Sequence, residues 1–215
     1  MKDIAIYGAG GFGKEVACIV RLINEASEEP RWNFIGYFDD GIPPTDDYLY
    51  GPIIGGMEKL NSWETPLDVV IAICSPRITE KIVNGITNQN LDFPNIIAPD
   101  VVYLDPDSVT LGKGNIICTN NFLSYELNIG NFNQFNNNMS IGHELTVGDF
   151  NSFMPGVRVS GNVTFGDRNF CGLNSCIVQN KQIGNDVVIG ACALLMHNPE
   201  NGYMYIGIPA QKVEK

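Results

Sequence analysis

Histidine is scarce in this chain, with two, His143 and His197, among 215 residues. The six cysteines, Cys18, Cys74, Cys118, Cys171, Cys176 and Cys192, have no CxxC spacing, so neither a disulfide framework nor a metal site is expected. Basic residues are few as well. Thirteen Lys and Arg against 24 Asp and Glu give a formal charge of −11, which argues against nucleic acid and anionic membranes as partners. No apolar run approaches the 20 residues of a membrane span. The N-terminus lacks the basic segment and apolar core of a secretory signal, so the expected compartment is the cytoplasm. A small anionic ligand remains compatible with this charge, because a helix N-terminus binds phosphate through its backbone.

What the chain does have is a six-residue pulse from Thr110 to Asn198. An aliphatic or aromatic residue followed by Gly recurs at 111, 129, 147, 165 and 183, each 18 residues from the next. Ile141-Gly142 and Ile189-Gly190 keep the same beat, as do Ile117, Leu123, Phe135, Phe153, Val159, Cys171, Ile177 and Leu195. A helix repeats its apolar positions every 3 to 4 residues, so this period predicts a hexapeptide β-helix, with three short strands per triangular coil. Residues 18 apart then share a corner or a side on adjacent coils, about 4.8 Å apart. Asn115, Asn133, Asn151 and Asn169 form one such column, and stacked amides predict a structural ladder.

Residues 1–98 read as a separate α/β domain, and 99–215 as the β-helix with a C-terminal tail. The pattern predicts strands at 2–7, 33–38, 67–74 and 95–98 and helices at 13–24, 57–61 and 76–87. Strand-helix alternation implies a parallel, Rossmann-like sheet. The first strand runs into Gly8-Ala9-Gly10-Gly11-Phe12-Gly13, a GxGxxG sequence opening a helix, where glycines let a phosphate approach the backbone. Asp39 and Asp40 end the second strand, in position for a ribose or a base edge. Too few residues precede the β-helix for a dinucleotide fold, so a mononucleotide or nucleotide sugar is the better fit.

Across nearly its whole length the chain resembles the left-handed β-helix sugar acyltransferases of bacteria, which include UDP-4-amino-sugar N-acetyltransferases and sialic acid O-acetyltransferases. The resemblance rests on Ile6-Tyr7-Gly8-Ala9-Gly10-Gly11, Phe38-Asp39-Asp40, Ile71-Ala72-Ile73, Ile141-Gly142-His143-Glu144 and the closing Gly207-Ile208-Pro209-Ala210. It implies a homotrimer that N-acetylates a nucleotide-linked amino sugar for a surface glycan, with acetyl-CoA lying between neighbouring prisms. It also implies that His143 is the general base with Glu144 beside it, and that Gly161 is the oxyanion donor. Gly161, Gly172, Leu173, Gly190 and Ala191 correspond to the cofactor wall. Gly8, Gly10, Gly11, Phe12, Gly13, Asp39, Asp40, Cys74 and Ser75 correspond to the binding site for the nucleotide-sugar acceptor.

The period supplies its own check on this set. His143 stands two places after the inward Ile141, so its side chain should leave the prism wall, and Gly161 lies one coil on, leaving room for a thioester. Gly172 and Gly190, also 18 apart, suggest a bare column for a pantetheine arm. The chain departs from the family at Ser152, where a second histidine is frequent, at Phe12, at Thr79 and in Cys74-Ser75-Pro76-Arg77. The alternatives are a sugar or sialic acid O-acetyltransferase, a serine O-acetyltransferase, a γ-class carbonic anhydrase, which two histidines leave one ligand short, and a non-catalytic nucleotide-sugar-binding trimer.

Overall fold

Strand-helix alternation in the first hundred residues builds a five-stranded, all-parallel sheet in a computed structural model that describes residues 1–213. Its elements are β1 (Lys2–Tyr7), α1 (Gly11–Ala26), β2 (Trp32–Phe38), β3 (Ile53–Gly55), α2 (Met57–Asn61), β4 (Leu67–Ile71), α3 (Pro76–Gly85) and β5 (Leu91–Asp92). The spatial order is β3-β2-β1-β4-β5. β1 is central, and its Ile4, Ala5, Ile6 and Tyr7 are all buried, as a parallel strand covered on both faces requires. α1 turns Val16, Ala17, Ile19 and Val20 inward. The third predicted strand ends early, at Ile71, and β3 and β5 carry too few residues between glycines and prolines to register as strands in the sequence. Contacts divide the chain into two compact units between Pro99 and Asp100.

The second unit is a prism of stacked 18-residue coils with parallel strands on three sides. Register is uniform: Leu127 pairs with Leu145, Leu145 with Val163 and Val163 with Lys181. The apolar clock fills the interior. Phe135 stacks on Phe153 at 4.9 Å, Phe165 meets Phe153 edge-on at 5.1 Å, and the small Cys171 follows Phe153 in register, which relieves the crowding. A side whose central outward residues are Thr110, Asn128, Thr146, Thr164 and Gln182 is exposed throughout, while the outward Ile116, Gln134 and Ser152 of another side are buried.

Two devices turn the corners. Every sixth residue from Gly114 to Cys192 has a left-handed backbone with φ between 53 and 75°. Phe132, Phe150 and Arg168 accept this conformation although it costs a non-glycine residue roughly 1–2 kcal/mol. Inside, the predicted Asn ladder forms. Asn133, Asn151 and Asn169 each donate their backbone N–H and Nδ2 to the Oδ1 of the Asn one coil before, and the Nδ2 groups reach the carbonyls of Gly148, Gly166 and Gly184. The carboxamides thus satisfy buried corner groups that the short strands leave unpaired. Among the described residues no helix is long and apolar enough to cross a membrane, and no group of three metal-ligating side chains converges.

Candidate active site

The corner after Ser140–Ile141 carries the catalytic candidates of the prism. His143 points outward, with its side chain 45% exposed, and its Nδ1 lies 2.9 Å from Oε2 of Glu144. A carboxylate only accepts, so Nδ1 carries the hydrogen, and in the neutral imidazole this tautomer leaves the lone pair on Nε2. Glu144 sits at one of the left-handed corners with φ 55°. A side-chain contact this exposed adds little to stability, so its value to the molecule lies in holding the ring.

Gly161 occupies the same corner one coil on, but the room it leaves is already filled. A Cβ built there falls 2.4 Å from Cε1 and 2.5 Å from Nε2 of His143, so the imidazole itself lies where the side chain would be. The expectation of vacant space for a thioester is therefore corrected: the missing side chain accommodates the base. The Gly161 N–H has no acceptor among the described residues, while its carbonyl takes the N–H of Asn180. On the opposite face Tyr125, one coil earlier, stacks on the imidazole at 5.3 Å and 10°. Sequence reasoning looked one coil forward from His143 and missed this neighbour, although 18 residues back was an equally available signal.

Gly172, Leu173, Gly190 and Ala191 lie on a different corner, across the side formed by Ser140–Ile141, Arg158–Val159 and Cys176–Ile177. One side of the prism separates the two sets within a chain, a span of roughly 15–20 Å for five or six extended residues. The bare column expected there is only partly bare. Gly172 backs onto Gly190 and Ala191, and a Cβ on Gly190 would meet Cγ2 of Ile206 at 2.7 Å. Leu173 and Ala191 are exposed. Ser152 is buried, with its hydroxyl 3.4 Å from Oε1 of Gln134, and does not join the His143 corner.

In the N-terminal unit the Gly-rich loop leaves β1 beside the end of β4, where the sheet order reverses direction, the place at which open α/β sheets bind ligands. Its glycines divide by role. A Cβ on Gly8 would approach the Ala72 carbonyl oxygen to 2.8 Å, and one on Gly13 the Gly8 carbonyl oxygen to 1.9 Å, so these two close the strand-helix turn. Gly10 and Gly11 meet nothing within 4 Å and line open space at the α1 N-terminus. α1 has no side-chain cap and no acidic residue in its first turn, which leaves its leading N–H groups for an anion. Phe12 is half-buried beside them, and Thr79 Oγ1 holds the Ile73 carbonyl at 2.8 Å, fixing the loop that carries Cys74 and Ser75.

Asp39 and Asp40 brace the same region. Asp39 accepts the N–H groups of Ala9 and Gly41, each at 2.8 Å, and Asp40 accepts the Tyr7 hydroxyl at 2.5 Å and the Met57 N–H at 2.8 Å. Burial, followed by this bond to Asp40, pushes the Tyr7 phenol up, so it stays a donor. Tyr48 donates to the Ala9 carbonyl, and Lys14 lies over its ring. An open cleft of about 460 Å³ adjoins the two aspartates, bounded also by Ile42, Pro43 and Met57. Burial, and then Glu15, push the Cys74 thiol up to about 11, and burial raises that of Cys171 in the prism core, so neither is a nucleophile at neutral pH.

Residues 3–86 match the family described as the PglD N-terminal domain. No curated protein matches the chain. Among solved structures, PerB from Caulobacter crescentus in complex with CoA and GDP-perosamine superposes with a TM-score of 0.88 at 23% identity, over 100% of this chain and 98% of that one. The acetyltransferase domain of PglB from Neisseria gonorrhoeae, in complex with acetyl coenzyme A, gives 0.86 at 25% identity over 99% of both chains. WeeI from Acinetobacter baumannii gives 0.83 at 26% identity over 99% of this chain and 100% of that one. Residues 3–86 are thus similar to the PglD N-terminal domain, and the whole chain has the two-part fold of the hexapeptide-repeat sugar acetyltransferases, an α/β domain followed by a left-handed parallel β-helix.

Proposed function

We propose that the protein is an acetyl-CoA-dependent N-acetyltransferase whose acceptor is a nucleotide-linked amino sugar. The observation that carries this reading is the His143–Glu144 pair, 2.9 Å apart on an exposed prism corner, in a chain whose fold is that of perosamine N-acetyltransferase with CoA and GDP-perosamine bound. Nε2 of His143 removes a proton from the acceptor amine as the nitrogen lone pair attacks the thioester carbonyl. The electron pair displaced onto the carbonyl oxygen meets the Gly161 N–H, a donor with no acceptor to give up among the described residues. Collapse of the tetrahedral adduct breaks the C–S bond, and the imidazolium returns its proton to the departing thiolate. Glu144 holds Nδ1–H throughout, which keeps the ring in the reactive tautomer and offsets its transient charge.

The N-terminal domain then holds the nucleotide. Leading N–H groups of α1 and the open surface at Gly10 and Gly11 suit the phosphates, with Phe12, Cys74 and Ser75 around them. An ionised carboxylate has about four lone-pair sites, so Asp39 and Asp40 each retain capacity for a ribose hydroxyl or a base amine in the adjoining cleft. The two prism corners call for a homotrimer. If Leu173, Ala191 and the neighbouring glycines form the acetyl-CoA wall, a second chain must bring them to His143, because one side of the prism separates them in each chain. The reading places the enzyme in the cytoplasm, where its cysteines stay reduced.

The test is a panel of nucleotide sugars with acetyl-CoA: GDP-perosamine, dTDP-4-amino-4,6-dideoxyglucose and the UDP-linked 4-amino analogue, with sialic acid and serine as hydroxyl acceptors. Thermal shift ranks binding and thiol release measures transfer. Turnover confined to nucleotide-linked amines is expected. Transfer to sialic acid or serine would make the enzyme an O-acetyltransferase, and binding without thiol release on any member would make it a non-catalytic nucleotide-sugar protein.

A further inference from the structure

The imidazole of His143 is held on three sides, and one of the three is a residue with no assigned role. Tyr125 and His143 are 18 residues apart and occupy the same corner on consecutive coils, where the Glu144 N–H donates to the Tyr125 carbonyl at 3.0 Å. Their rings lie 5.3 Å apart and 10° from parallel. Phe132 and Phe150, and Phe135 and Phe153, repeat this stacking at 5.6 and 4.9 Å, so the coil spacing imposes the geometry wherever two aromatic residues are in register. The other face of the imidazole lies against Gly161, and its Nδ1 edge against Glu144.

Resting on the proposed base role of His143, we propose that Tyr125 is a positioning residue of the acetyl transfer: its ring and the Gly161 backbone clamp the imidazole flat between adjacent coils, leaving Nε2 without a hydrogen-bond partner among the described residues. An exposed histidine tethered only by an adjacent glutamate would sample other rotamers, and a base aimed for part of the time loses rate in proportion. The electron-rich face of Tyr125 also favours the imidazolium formed during the reaction. The hydroxyl makes no hydrogen bond among the described residues, and the proposal assigns the effect to the ring, so a phenyl ring should serve equally.

Tyr125 is about 37% exposed and its coil is tied by the backbone, so its replacement should leave the fold intact. Tyr125→Leu is expected to lower kcat by about 3- to 15-fold toward the panel's best acceptor, with KM for acetyl-CoA and acceptor within about twofold, and Tyr125→Phe to restore the wild-type value. With two histidines in the chain, ¹³C-histidine labelling gives two imidazole Hε1 signals. The one lost in His143→Ala should sit upfield from the Tyr125 ring current, return downfield in Tyr125→Leu and stay upfield in Tyr125→Phe. Wild-type kcat in Tyr125→Leu beside an inactive His143→Ala overturns this inference alone, as does an unmoved Hε1 signal. A Phe variant as slow as the Leu variant overturns it by assigning the effect to the hydroxyl. Wild-type turnover in His143→Ala overturns the base assignment and this inference with it.

Discussion

At the scale of single residues, the chemistry turns on where one imidazole can go. His143→Ala is expected to lower acetyl transfer by a factor of about 10² to 10⁴ while melting temperature stays unchanged, because the side chain lies outside the prism wall. Steady-state kinetics with a thermal melt on the same sample checks both halves. Glu144 separates function from stability more sharply. Its corner requires a left-handed backbone, which asparagine adopts more readily than glutamate. Glu144→Asn should therefore melt at or slightly above the wild-type temperature and still lose activity, by roughly tenfold or more, as the short amide no longer reaches Nδ1 as a carboxylate. A variant that lost stability together with activity would show that the pair supports the fold after all. Gly161 is the counterpart: the close approach of His143 makes it a position where even one methyl group displaces the base.

At the scale of elements, the Gly-rich loop contains two kinds of glycine that the sequence presents alike. Gly13 packs against the Gly8 carbonyl, so Gly13→Ala forces the β1–α1 turn apart and should destabilise the N-terminal domain by about 1–3 kcal/mol, read as a lower urea midpoint. Gly10 faces open space, and Gly10→Val should leave that midpoint nearly unchanged while removing acceptor binding and sparing acetyl-CoA, measured by calorimetry with each ligand. Unchanged acceptor affinity in Gly10→Val would move the nucleotide away from the loop. The prism corners repeat this lesson on a larger scale. Left-handed residues recur every six positions, but glycine, asparagine, aspartate, glutamate, phenylalanine, arginine and cysteine share the task, so the period is visible in φ and hidden in composition.

At the scale of the whole molecule, the proposed trimer makes a prediction about sharing. Light scattering should give about three times the 23.6 kDa chain mass at micromolar concentration. Leu173→Glu should block the acetyl-CoA wall, and it and His143→Ala should each be inactive alone. Coexpressed in equal amounts, the two variants should recover roughly a quarter of wild-type activity, since randomly mixed shared sites pair an intact base with an intact wall that often. No recovery from verified mixed trimers would mean that base and wall act within one chain.

The sequence by itself determined the β-helix, the division into an α/β domain and a prism, the outward direction of His143 and the Asn ladder. The α/β domain follows from strand-helix alternation, and the rest from periods of six and eighteen that a rigid coil cannot break without losing register. It also placed His143, Glu144 and Gly161 at one corner, because the coil repeat converts sequence distance directly into spatial distance. Only the tertiary structure decided which spaces are empty. The imidazole fills the hollow at Gly161, Ile206 covers Gly190, and Asp39 and Asp40 already accept bonds from Ala9, Gly41, Tyr7 and Met57. Spacing fixes where a backbone passes, but side-chain rotamers and the packing of distant strands fix what occupies the volume beside it, and neither is written in a period.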